Sequence, residues 1–236
     1  MATYVLVHGG GHGGCCCQRV ARILRQAGHD GYTRTLTGFG VRAHLLSPDI
    51  DLDFRIHDVI QVLTYEDLHD VILLGHSYGD MVITGVADRA TGRVVHRDAS
   101  APVNGQSLAD VAARSMTAAR SESRVIDGVE FVLFPGTGPM LHYGVSDPDD
   151  IAWLEPQLTP HPYKCFDQPL RSEDHAELWE IPQNHTGCTA TCPHRDPARR
   201  ERALAAGRLQ DIDTGHDLMI TEPKAVADLL LRVPTA

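Results

Sequence analysis

The chain is short of positive charge: 21 Lys and Arg stand against 31 Asp and Glu, a formal −10 with histidines neutral, which excludes a general nucleic-acid binder. It has no apolar run near the roughly 20 residues that a membrane-spanning helix needs, and no membrane partner is expected. Met1 to Gly10 lacks the basic start and apolar stretch of a secretion signal, so the expected address is the cytoplasm. A disulfide framework is missing too, because three of the six cysteines are consecutive (Cys15, Cys16, Cys17) and sequence neighbours do not make an ordinary bridge. Reduced thiols are expected. There is no low-complexity tract. What remains is 236 residues, 42% hydrophobic and 22% charged, the composition of one large α/β domain or two small ones.

Apolar patterning gives an alternating order of elements. Thr3 to Val7 reads as a strand running into His8 and the glycine-rich stretch Gly9 to Gly14, and a helical pattern through Val20, Ile23, Leu24 and Ala27 stops at Gly28. A second strand is expected around Tyr32 to Leu36, a helix over Asp53 to Leu63, and a fully buried strand over Asp70 to Leu74. A helix from Met81 to Ala90 and a strand from Arg93 to His96 follow. From Ala101 to about Pro169 the alternation gives way to helix-like pieces and loops holding most of the aromatics, an insertion that could sit as a lid. After it come a weak strand (Gln183 to Thr189), a helix (Asp196 to Ala206), a short strand (Leu209 to Ile212) and a terminal helix (Pro223 to Leu231). The expected architecture is a mostly parallel sheet with helices on both faces. Residues 1–100 and 170–236 form its core and 101–169 the inserted lid.

Gly75-His76-Ser77-Tyr78-Gly79 stands where the buried strand becomes a helix, the context that gives Gly-x-Ser-x-Gly its meaning. The flanking glycines permit a sharp turn with the Ser77 hydroxyl exposed at its tip, and the helix start aims free N–H groups, including that of Tyr78, at a developing oxyanion. A serine needs an adjacent base. Among 14 histidines, His216 lies after the last strand and before the last helix, at the sheet edge that also carries Ser77. His76 and His8 are structural alternatives. The third member, a carboxylate, is Asp98 if the strand after the nucleophile helix supplies it, or Asp196 if the next strand does. Asp213 and Asp217 follow by their nearness to His216.

Two competing motifs need weighing. Gly9, Gly11 and Gly14 match the dinucleotide-binding Gly-x-Gly-x-x-Gly, but that reading wants an acid at the end of the second strand, where the chain has Tyr32-Thr33-Arg34-Thr35-Leu36. The alternative, in which the Gly10 N–H faces that of Tyr78 as the other half of an oxyanion hole, explains Ser77 and His216 together. His185, Cys188, Cys192 and His194 could be imagined around zinc, but the spacing is no recognised finger, and no metal is expected. The triple cysteine reads as packing around the first helix.

His8-Gly9-Gly10, Gly75-His76-Ser77-Tyr78-Gly79 and Thr214-Gly215-His216-Asp217 together resemble the α/β-hydrolase fold. Within it the chain is similar, from about Thr3 to Leu231, to small esterases related to plant methylesterases, hydroxynitrile lyases and bacterial pyrethroid-hydrolysing carboxylesterases. The resemblance implies a serine esterase with Ser77 as nucleophile, His216 as base, Gly10 and Tyr78 as oxyanion hole, and a helical lid over an apolar pocket suited to small hydrophobic esters. It implies no cofactor. The chain departs from the pattern at Cys15 and Cys17, where such proteins usually carry tryptophans, and at Asp80, where they usually have glycine. A lyase acting on cyanohydrins is the second enzyme reading, but the resembling lyases use a lysine beside the base and this chain has Asp217. A catalytically weakened small-molecule-binding relative is the reading from another class.

Overall fold

The computed structural model describes residues 1–89, 92–97, 102–134, 143–172, 183–190 and 197–233. Strand β1 (Thr3–Val7) leads through a glycine-rich turn to helix α1 (Gln18–Gln26), then β2 (Asp30–Arg34), α2 (Leu52–Tyr65), β3 (Val71–His76), α3 (Gly79–Arg89) and β4 (Gly92–Arg97). These elements fall within a few residues of their expected positions. Asp51 sets the start of α2 by accepting the Phe54 N–H at 2.8 Å.

Strands β8 (Gln183–Cys188) and β9 (Leu209–Ile212) complete a six-stranded sheet in the order β2-β1-β3-β4-β8-β9, with every pair parallel. The central strands are apolar throughout because both faces are covered, yet their side chains still part by the two-residue pleat. Val5, Val7, Val71 and Leu73 pack with Ile56 and Val59 of α2 and Met81, Val82 and Val86 of α3. Tyr4, Leu6, Ile72 and Leu74 pack on the other face with Val20 and Leu24 of α1. Each such fully buried aliphatic chain contributes about 1.5–3 kcal/mol, so the two faces fix strand register from both sides. Cys16 and Cys17 are buried in the α1 face, and the five cysteines among the described residues carry free thiols.

Between β4 and β8 the chain forms α4 (Leu108–Val111), α5 (Ala113–Ser121), β5 (Arg124–Ile126), β6 (Val129–Val132), α6 (Pro148–Leu154), β7 (His161–Pro162) and α7 (Lys164–Asp167). Here the structure departs from the expectation of helical pieces and loops, because β5, β6 and β7 make a separate antiparallel sheet. Asp127 (φ 49°) and Gly128 (φ 79°) form the two-residue turn of its hairpin, and positive φ at both positions gives the twist such a turn requires. After β8 come α8 (Pro197–Ala205), α9 (Leu218–Thr221) and α10 (Pro223–Leu230). The last of these places Val226 and Leu230 in the α1-face core. Among the described residues, no helix is long and apolar enough to cross a membrane.

Candidate active site

Ser77 occupies the turn from β3 to α3 with φ +53°, a left-handed conformation that costs a non-glycine residue of order 1–3 kcal/mol. The flanking glycines are required by contact: a Cβ on Gly79 would stand 2.5 Å from the Val7 carbonyl oxygen and one on Gly75 2.8 Å from the Gly79 oxygen. With no side chains there, the serine turn packs directly against the end of β1. The glycine turn after β1 lies on its other side, where a Cβ on Gly9 would come 3.1 Å from Ser77 Cβ. Helix α3 hangs from this turn through Asp80 N–H to Ser77 O (3.0 Å) and Met81 N–H to Tyr78 O (3.0 Å). Asp80 sits buried in its first turn.

Five histidines crowd this edge of the sheet, and for His8, His12, His76 and His161 the hydrogen-bond partners show whether the bonded ring nitrogens carry protons. His8 donates from Nδ1 to the Gly9 carbonyl at 2.8 Å and accepts the Leu36 N–H at Nε2 at 3.1 Å, so it is neutral. Burial, opposed by the Gly9 bond and aided by nearby cations, pushes its pKa down to about 3. His12 meets an acceptor at each nitrogen, the Gly10 carbonyl at 2.8 Å and Asp217 Oδ2 at 3.0 Å, so it is an imidazolium. Its burial disfavours the charge, but the Asp217 carboxylate and the two hydrogen bonds outweigh that and hold its pKa above the ordinary value. For Asp217 burial again opposes ionisation, and the attraction of His12, its hydrogen bond, and nearby His76 and His216 keep the carboxyl below its usual range. His76 donates from Nε2 to the His216 carbonyl at 2.9 Å.

His216 itself lies on the loop between β9 and α9, its ring tilted on that of His76 with centroids 4.6 Å apart and on Tyr143 at 5.7 Å. The loop after β9 therefore meets the residue preceding Ser77. Gly10 and Tyr78 face a second buried cluster, centred on His161 of β7. His161 accepts Arg55 Nη1 at 2.9 Å and stays neutral, its pKa driven well down by burial and by that guanidinium. A Cβ on Gly10 would lie 2.9 Å from His161 Nδ1, and the Tyr78 ring meets His161 edge-on at 4.6 Å. Arg55, fully buried on α2, stacks over Phe39 at 4.1 Å. Phe134 and Tyr143, from the chain between β4 and β8, stand 6.3 Å apart and flank His12.

The structure thus brings Ser77, Tyr78, Gly10 and His216 to one edge of the sheet. Asp98 and Asp196 lie outside the described residues. Asp217 directs Oδ2 to His12, and Asp213 accepts the Thr189 hydroxyl at 2.6 Å. Of the imagined zinc set, Cys192 and His194 are also outside the described residues. Among the described ones, no three His, Cys, Asp or Glu side chains are grouped to hold a metal. Sequence reading missed His12, Arg55 and His161, since the first lay inside a glycine motif and the others carry no local signal.

Comparison with known proteins adds kinship to this geometry. A model of the alpha/beta hydrolase family matches residues 4–229. A carbendazim-hydrolysing esterase from Nocardioides is 32% identical over 254 residues, with 98% of each chain covered. An extracellular alpha/beta-hydrolase from a Paenibacillus species, reported to share structural and functional homology with tobacco salicylic acid binding protein 2, matches 100% of both chains with a TM-score of 0.80 and 25% identity. A pyrethroid hydrolase from Sphingobium faniae matches with a TM-score of 0.77 over 98% of this chain and 96% of its own, and at 17% identity that likeness is one of fold.

Proposed function

The chain belongs to the alpha/beta hydrolase family and is a carboxylic ester hydrolase, and from that premise we propose that it works through Ser77, His216 and Asp98 on small hydrophobic esters. Ser77 Oγ attacks the acyl carbon while His216 takes its proton. The backbone N–H groups of Gly10 and Tyr78 hold the oxyanion, and the alcohol leaves with the proton from His216. Water, deprotonated by His216, then attacks the acyl-enzyme, and the acid is released as the acyl–Oγ bond breaks and His216 returns the proton to Ser77 Oγ. No cofactor enters. The observation that carries this reading is the left-handed Ser77 on a glycine-flanked strand-to-helix turn, with the glycine turn of β1 beside it. An ordinary turn serine has no need of that strain. Phe134 and Tyr143 beside His12 and His216 favour an apolar acyl or alcohol group.

Purified protein is tested on a panel of short-chain aryl esters and carbendazim, the latter because the 32% identical relative hydrolyses it. Turnover is expected to fall by several orders of magnitude in Ser77→Ala with the melting temperature maintained. A fluorophosphonate is expected to label the parent and not the variant. Undiminished hydrolysis in Ser77→Ala would reject the nucleophile, and absence of labelling in the parent would favour the weakened binding relative instead.

A further inference from the structure

The ion pair between His12 and Asp217 has no part in the steps just described, yet both members are almost fully buried, at 3% and 0% side-chain exposure, 205 residues apart in sequence. Burying two charges is costly unless geometry and further hydrogen bonds compensate. The compensation is one-sided: His12 spends its second N–H on the Gly10 carbonyl, whereas Asp217 Oδ1 is buried without a hydrogen-bond partner among the described residues, 4.0 Å from His76 Nε2. The pair joins two separate parts of the proposed chemistry. His12 lies in the glycine turn that carries Gly10, and Asp217 directly follows His216.

We infer that His12 and Asp217 are positioning residues, a charged strut holding the oxyanion turn and the base loop in one geometry. The inference rests on the Ser77–His216 reading. Three contacts converge on the base loop. The serine turn reaches it through His76 Nε2 donating to the His216 carbonyl, and the glycine turn reaches it through His12 to Asp217. The chain between β4 and β8 reaches it at Tyr143, whose carbonyl accepts the Asp217 N–H at 2.9 Å. At this third contact Gly144 and Gly215 cross backbone to backbone, since a Cβ on Gly144 would stand 2.3 Å from Gly215 Cα. Of these ties, the strut joins the base loop to the glycine turn that carries Gly10. Around it, among the described residues, stand the titratable groups His8, Cys16, Cys17, His76, His216 and Tyr143.

Because the strut acts through His216 and Gly10, its loss lowers kcat and leaves KM within a few-fold. Misplacing reacting groups by about 1 Å costs roughly 10²-fold in rate, which sets the expected size. Four variants separate this from a merely structural role: His12→Leu, Asp217→Asn, His12→Gln, which keeps a donor toward Asp217, and the apolar double variant H12L/D217L. The double variant leaves no lone buried charge and so keeps the experiment meaningful if the single ones do not fold. Thermal melts, kcat and KM on an aryl ester, and the rate of fluorophosphonate labelling are read for each. The expected result is a double variant that melts near the parent while kcat and labelling rate both fall about 10²-fold. Partial recovery in His12→Gln relative to His12→Leu is expected as well. A double variant that folds with parental kcat overturns the strut alone, provided Ser77→Ala is dead. Turnover surviving Ser77→Ala overturns the nucleophile reading and the strut with it.

Discussion

Histidines 8, 12 and 161 show how one residue type takes opposite charge states at one edge of the sheet according to what it faces. A carbonyl on one nitrogen and a carboxylate on the other make His12 a cation, whereas an incoming N–H makes His8 neutral. The consequence for stability has opposite signs for the two. His12, with its pKa raised in the folded state, contributes fully below the ordinary histidine value near 6.5, and the contribution is lost as pH rises through the raised value. His8, held down to about 3, contributes fully above about 6.5. As pH falls from there toward 3 the unfolded chain takes up a proton that the native chain refuses, at about 1.4 kcal/mol per pH unit. His161 acts in the same direction as His8. Thermal melts of the parent between pH 6.5 and 4 are therefore expected to fall more steeply than those of His8→Gln, by up to one proton's slope. Parallel curves would mean that His8 is not the buried neutral base that its partners make it.

At the scale of elements, the buried strand Thr3–Val7 matches expectation residue for residue, and so does the edge strand Leu209–Ile212 although Gln210 and Asp211 are exposed; the helix stop at Gly28 is seen as the end of α1 at Gln26 with Gly28 at φ +85°. The hairpin of β5 and β6 was missed although Asp127-Gly128 is a strong turn signal, because the strands beside it are short, with β5 exposed and β6 only partly buried, and carry little apolar alternation. Val125 is 71% exposed, so no buried face advertises that strand. Helix α2 offers the clearest local test, since Asp51 caps it and it carries the buried Arg55. Replacing Asp51 by Ala is expected to cost about 1 kcal/mol. For a chain of this size that lowers the melting temperature by about 2–4 °C, while Asp51→Asn, which keeps a capping oxygen, is expected to melt near the parent. Equal losses in both variants would show that the negative charge, not the cap, matters there.

The whole molecule explains why the site was half legible. A parallel sheet sends the loop after every strand to one edge, so Ser77 after β3 and His216 after β9 could be assigned to the same edge from element order alone. Which side chains touch across that edge follows from packing between distant segments, as with His12 and Asp217, 205 residues apart, or Arg55 and His161, 106 apart, and a linear pattern carries no trace of it. The strand order β3-β4-β8-β9 also bears on the triad acid. Strand β4 is next to β3, and Asp98 directly follows its last residue, Arg97. Strand β8 ends at Cys188 and is followed by Thr189, Ala190, Thr191 and Cys192, with no acid before Asp196. The fallback acids are otherwise engaged, Asp213 by Thr189 and Asp217 by His12. Asp98 is therefore expected to orient His216, and Asp98→Asn to lower kcat by about 10⁴-fold through the wrong histidine tautomer. Asp196→Asn is expected to retain near-parental kcat, with both variants checked by thermal melt. Activity preserved in Asp98→Asn together with collapse in Asp196→Asn would move the acid to the loop after β8. Activity preserved in both folded variants would return the role to Asp217, where loss of the carboxylate would then abolish labelling of Ser77 outright rather than slow it about 10²-fold.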